Sequence, residues 1–192
     1  CGSFVVDAGV LVAGAEGVVE APAIVYLIDG EETILVDTGF GPVERMAELH
    51  PSYACHREPG QDLESILDGE GYTPADVDAV VLSHLDWDHC YTLGPFDDAG
   101  VDIYVQREEL AYAVAPYPMH ADRYEAKSLG REPPWLTVDL TPLSGETELA
   151  PGITAFPTPG HTVGHQSVAV EESDGTTVVA VDAVQTFENV PE

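Results

Sequence analysis

The sequence predicts an α/β fold with helices packed outside β-sheet, and three observations predict it. Short apolar runs bounded by turn residues alternate with stretches of helical pattern along the chain. One such run, Val77-Asp78-Ala79-Val80-Val81-Leu82, reads as a buried strand. The length of 192 residues and the 44% hydrophobic content suffice for a sizeable core.

The elements follow in order. Residues 23–29 and 33–37 read as two strands, and the turn Asp29-Gly30-Glu31-Glu32 between them suggests a hairpin. Residues 42–49 open with Pro42, which suits a first helical turn. Residues 61–69 read as a second helix, closed by Gly69 and Gly71. The strand at 77–82 delivers Ser83 and His84 into a loop. A strand at 101–105 leads into a helix at 106–115. The stretch 116–136 is rich in Pro, Tyr and Trp without a clean period and reads as an excursion or lid. Strands are expected near 152–156, 166–171 and 177–181. No repeat or linker divides the chain, so residues 1–192 read as a single domain.

Charge narrows the partners. The chain has 35 Asp plus Glu against 6 Lys plus Arg, a net charge of −29, and Lys127 is the one lysine. The acids are scattered rather than gathered in a tail, which points to a proteome adapted to high salt, where carboxylate repulsion is screened. A surface repelling polyanions is the alternative. Nucleic acid is not expected as a partner, because phosphate binding rests on Lys and Arg. No apolar run is long enough to cross a bilayer and no signal peptide is visible, so no membrane partner is expected. Cys1, Cys55 and Cys90 show no paired spacing, which suggests reduced thiols and a cytoplasmic location. The start at Cys1 rather than Met suggests that the natural chain begins earlier.

The chemistry is concentrated in four places. In Ser83-His84-Leu85-Asp86-Trp87-Asp88-His89, metal-ligand types stand at 84, 86, 88 and 89, directly after the buried strand. Zinc takes imidazole nitrogen and carboxylate oxygen, about four donors per ion. A loop with donors so spaced can serve two ions about 3.5–4 Å apart. A solvated acidic turn is the bland alternative. In Thr158-Pro159-Gly160-His161-Thr162-Val163-Gly164-His165, the glycines permit a close approach, His161 is the natural ligand, and His165 supports or packs behind it. Asp182 follows an apolar run, where a carboxylate is costly unless paired or metal-bound; it reads as a ligand bridging two ions or, taken alone, equally as an ordinary strand-end acid of an acidic protein. Asp37 in Val36-Asp37-Thr38-Gly39 would orient a ligating histidine from behind, with a plain turn as the local alternative.

Together these segments, in this order, resemble the metallo-β-lactamase superfamily, from about residue 23 to the end. The wording at 158–167, Val105-Gln106-Arg107 and Val181-Asp182-Ala183 are similar to the N-acyl-homoserine lactonases. The resemblance implies an αββα four-layer sandwich with the metals at one edge of two sheets, here lacking its C-terminal part. It implies two divalent ions, zinc first, and the carboxylate of Asp86 among the donors hardens the site toward manganese or iron as alternatives. His84, His161 and Asp182 match one ion, and Asp88, His89 and Asp182 the other. It further implies hydrolysis of an ester or lactone of a small molecule by a bridging hydroxide, with Asp88 moving the proton. A homodimer is left open. Tyr112, Tyr117, Tyr124 and Trp135 are expected to line the substrate pocket, or else to pack the lid.

Three departures bear on this. Asp86 stands where the family loop has a second histidine, Gln185 stands near where the lactonases carry a tyrosine, and no final histidine ligand follows Asp182. Gln185 retains an amide that can donate to a substrate oxygen. A glyoxalase-II-like thioesterase, a mononuclear iron sulfur dioxygenase and a non-catalytic scaffold remain as rivals, since one fold hosts many chemistries.

Overall fold

The computed structural model describes residues 1–190. Strand β1 (Ser3–Asp7), helix α1 (Ala8–Leu11) and strand β2 (Val18–Pro22) come first. They are followed by β3 (Tyr26–Asp29), β4 (Thr33–Val36), α2 (Val43–Leu49), α3 (Leu63–Glu70) and β5 (Ala79–Val81). Next are α4 (Gly94–Ala99), β6 (Asp102–Gln106), α5 (Arg107–Val114) and β7 (Leu140–Leu143). The series ends with β8 (Thr147–Ala150), β9 (Ile153–Pro157), β10 (Gln166–Glu172) and β11 (Gly175–Val179).

A five-stranded sheet runs β3-β4-β5-β6-β7, parallel from β4 to β7 with β3 antiparallel at one edge. An antiparallel four-stranded sheet runs β11-β10-β9-β8, and β1 pairs with β2 in a separate antiparallel ribbon. Side chains alternate across a strand, so β4 serves two cores. Ile34 and Val36 pack with Ala79 and Val81 against Ile153, Ala155 and Val168 of the second sheet. Leu35 turns the other way, joining Val80, Ile103 and Val105 beneath Leu63, Leu67, Phe96 and Ala113 of the helices. The centre of the larger sheet is thus buried on both faces, which is why β4 and β5 read as nearly unbroken apolar runs.

Local signals set the helix ends. Pro42 precedes α2. The Asp62 carboxylate caps α3 by accepting from Ser65 N–H at 2.9 Å, and Gly71 closes it at φ 88°. A buried glutamine pair ties the two sheets together. Gln106 Nε2 donates to Gln166 Oε1 at 2.9 Å, and Gln166 Nε2 donates to the Leu82 carbonyl at 2.8 Å.

The lid at 116–136 holds three short helical turns, Pro118–His120, Lys127–Leu129 and Pro134–Leu136. The strand expected at 177–181 stops at Val179, and Val181–Ala183 forms a helical turn. The ribbon of β1 and β2, α4, β7 and β8 lie outside the sequence reading. Apart from Ala21, β2 is exposed, and it carries Glu20 and Pro22, so it shows no apolar run. β7 contains Pro142, which argues against a strand on local grounds. Among the described residues, no helix is long and apolar enough to cross a membrane.

Candidate metal centre

The parallel strands deliver polar residues at their C-terminal ends, where open α/β sheets place ligands. After β4, Asp37 takes a left-handed conformation at φ 63° and is fully buried. Its Oδ1 accepts from Ser83 N–H at 2.7 Å. Its Oδ2 accepts from the Ser83 hydroxyl and from His89 Nδ1–H, both at 2.7 Å. The Ser83 hydroxyl, having donated to Asp37, accepts from His84 Nδ1–H at 2.8 Å. The network therefore assigns the proton of both histidines to Nδ1, leaving each Nε2 lone pair aimed into the site.

The loop between β9 and β10 brings in His161, and the turn after β11 brings in Asp182. His161 Nε2 lies 3.2 Å from Asp86 Oδ2 and 3.2 Å from Asp182 Oδ2. Asp182 Oδ1 lies 3.7 Å from His89 Nε2, and Asp88 Oδ2 lies 3.6 Å from the same nitrogen. Two donor groups result, His84 with Asp86 and His161, and His84 with His89 and Asp182. The sequence pairing placed His84 in one group only. The structure sets its ring 4.1 Å from that of His89 and 4.9 Å from that of His161, between the two.

A divalent cation fits this arrangement. His84 Nε2 and Asp86 Oδ1 are buried with no hydrogen-bond partner, so they stand ready for a ligand. Imidazole lone pairs facing carboxylate oxygens repel unless positive charge sits between them. The side chains register the same demand. Burial disfavours a charged His89, yet the carboxylates of Asp88, Asp37 and Asp182 hold its pKa well above the ordinary histidine value. Burial, with Asp86 and Asp182 nearby, raises the Asp88 carboxyl. His165 is different: burial and the neighbouring His84 push its pKa down to about 3. Its Nδ1 meets the Thr158 hydroxyl at 2.8 Å, and its ring packs 5.2 Å from that of His84. Gln185 Nε2 donates to Asp182 Oδ2 at 3.1 Å.

The aromatic residues expected around a pocket separate. Tyr112 and Tyr124 line a cavity of about 440 Å³ beside His161 and Arg123. Trp135 does not join them, because it is 2% exposed and packed from the end of the 116–136 stretch into the core. Tyr117 does not either, being 64% exposed at the start of a lid turn. Residue type alone could not distinguish these fates.

A larger cavity, about 640 Å³, was not foreseen. Its apolar wall includes Phe4, Val6, Val19 and Ile24 from the ribbon of β1 and β2 and the segment after it, and its floor includes Asp88, His89 and Asp182. Glu109 and Arg123 were also missed. Glu109 is fully buried and accepts from Leu85 N–H (3.1 Å), Tyr124 O–H (3.0 Å), Thr162 O–H (2.7 Å) and Gly164 N–H (3.0 Å). It locks the loop of His84 to the loop of His161. Gly164 is needed here for space, since a Cβ would run into the Glu109 backbone nitrogen. Arg123 reaches Asp86 and His161 from the lid. Its signal in the sequence was scarcity, as one of 6 cationic side chains.

Comparison with known proteins agrees with this geometry. An N-acyl homoserine lactonase of a Bacillus species is 32% identical over 189 residues, covering 88% of this chain and 67% of that protein. One from Bacillus cereus is 33% identical over 187 residues, covering 88% of this chain and 66% of that protein. The chain thus spans about two thirds of the length of these curated relatives. A solved N-acyl homoserine lactone hydrolase, with the product N-hexanoyl-L-homoserine at its catalytic metal center, superposes with a TM-score of 0.76 at 26% identity. The match covers 98% of this chain and 75% of that one. The metallo-beta-lactamase superfamily pattern matches residues 20–192, and the chain belongs to that superfamily.

Proposed function

We propose that the chain is a metal-dependent hydrolase that opens a lactone or ester bond in a small amphiphilic molecule of the N-acyl homoserine lactone class. The observation that carries this is the larger cavity. It joins an apolar wall suited to an alkyl chain to a floor of imidazoles and carboxylates suited to the reacting carbonyl. We further propose that His84, Asp86, Asp88, His89, His161 and Asp182 are the metal-binding side chains. Zinc is the ion we favour, because mixed imidazole and carboxylate donors suit it. When bound, a divalent ion polarises a carbonyl and makes water more acidic.

The chain's own groups supply the rest. Asp37 and Ser83 fix the tautomers of His84 and His89. Asp88, whose carboxylate stands beside His89 on the cavity floor, takes a proton from the attacking water and gives it to the leaving ring oxygen. The water oxygen bonds to the carbonyl carbon, the ring C–O bond breaks, and a hydroxy acid results. Gln185 holds Asp182 and lies on the cavity wall, within reach of a substrate oxygen. The ribbon of β1 and β2 excludes water from the alkyl chain.

Acid release from N-hexanoyl- and N-decanoyl-homoserine lactone by the zinc-loaded chain tests this. Saturable turnover, abolished by chelator, is expected, with the lower KM for the longer chain. A folded, zinc-loaded chain that hydrolyses neither compound refutes the assignment. Hydrolysis of a thioester alone would move it to the glyoxalase-II-like reading.

We also infer that the protein works as one domain in a reducing, salt-rich cytoplasm. The shared core of the two sheets, the unbridged Cys1, Cys55 and Cys90, and the diffuse acidic charge support this. Raising KCl from about 0.1 to about 1 M shortens the screening length from about 10 to about 3 Å. The melting temperature is expected to rise, by about 2–4 °C for each kcal/mol of repulsion removed. A thermal scan with no salt dependence would contradict the inference.

A further inference from the structure

The pattern that suggests two cations already contains one in the structure. Arg123 Nε donates to Asp86 Oδ2 at 2.9 Å, and its Nη2 reaches the same oxygen. Nη2 also donates to His161 Nε2 at 2.7 Å. A guanidinium has no acceptor and does not deprotonate in proteins. His161 must therefore offer Arg123 the lone pair that it would otherwise offer to a metal. Within the group of His84, Asp86 and His161, the guanidinium engages two of three side chains. In the other group, and among the described residues, the ion-pair contacts of Asp88 and Asp182 are with histidines alone.

The placement of Arg123 is built rather than incidental. Its carbonyl accepts from Trp87 N–H at 2.9 Å, which pins the lid to the His-rich loop. The following Tyr124 is held by Glu109, and Glu125 meets buried His50 at 3.1 Å. In a chain with 6 cationic side chains and 35 acids, one cation is fixed at the cluster of His84, Asp86 and His161. This also accounts for Asp86. A carboxylate anchors a guanidinium, whereas an imidazole at that position would leave Arg123 without its ionic partner.

We propose that Arg123 is a resident cation that stands in for one of the two metal ions. His84, His89 and Asp182, with Asp88 beside them, take a metal tightly. The group of His84, Asp86 and His161 takes one only when the guanidinium is displaced. The proposal rests on the reading that this cluster holds metal.

Zinc content after gel filtration, together with calorimetric titration of the metal-free chain with zinc, tests it. The unaltered 192-residue chain is expected to retain one zinc ion and Arg123→Ala two. The second zinc ion should bind about 10–100-fold more tightly in the variant. Arg123→Gln carries the same expectation if the alanine variant does not fold, and circular dichroism reports on folding. Two tightly held zinc ions in the unaltered chain, or no gain in a folded variant, overturns the proposal. If neither chain binds zinc, the metal reading itself fails and the proposal falls with it.

Discussion

Glu109→Ala is expected to destabilise the fold by about 3–5 kcal/mol, read as a lower urea midpoint at unchanged slope. The side chain is fully buried, and its two oxygens accept from four donors on three separate segments. Truncation leaves the Leu85 and Gly164 amides and the Tyr124 and Thr162 hydroxyls without that partner. Each unsatisfied buried donor costs about 1–3 kcal/mol, and the sum is less than additive because a water can enter the space left behind. Glu109→Gln should lose less, since it keeps the acceptor oxygen and presents an amide to only some of these donors. A loss below about 1 kcal/mol for the alanine variant would show that the two loops are held by other contacts.

Asp37→Asn is expected to weaken zinc binding about 10–100-fold, measured by competition with a chromogenic chelator. Asparagine tolerates the left-handed backbone at this position, so the main chain should survive. Its amide oxygen can still accept from Ser83 N–H. The amide nitrogen, however, would face the Ser83 hydroxyl and His89 Nδ1–H, two groups that now donate. His89 is then driven to turn its ring or shift its proton to Nε2, and either change removes the lone pair from the site. An unchanged dissociation constant would mean that the histidines are oriented by packing rather than by Asp37.

These two positions show what the sequence could and could not reveal. His84, Asp86, Asp88 and His89 were legible because their side chains cluster along the chain as well as in space. Strands β4 and β5 at the centre of the larger sheet were legible because burial on both faces leaves nearly pure apolar runs, whereas β7 of the same sheet, with Thr141 and Pro142, was not. Glu109 was not, because its partners lie 15 to 55 residues away and, in an acid-rich chain, it resembles any exposed helix acid. Arg123 was hidden for a related reason. Its meaning depends on where the lid folds back, and the lid lacks a period from which that could be read. The ribbon of β1 and β2 escaped because its outward residues face solvent or the cavity, so it lacks the alternation of a half-buried strand.

The hydrogen-bond chain from His84 through Ser83 to Asp37, with His89 joining it, is drawn entirely from protein groups. The donors are thus collected by the fold itself, and the entropy of ordering them belongs to folding rather than to ion capture. Small metal-dependent domains that collapse around their ion follow the opposite order. An ion bound here as proposed is expected to be removable by chelator with the fold retained, read by circular dichroism. Metal identity would then follow the supply in the surroundings at the moment of exchange, not the history of the chain's synthesis.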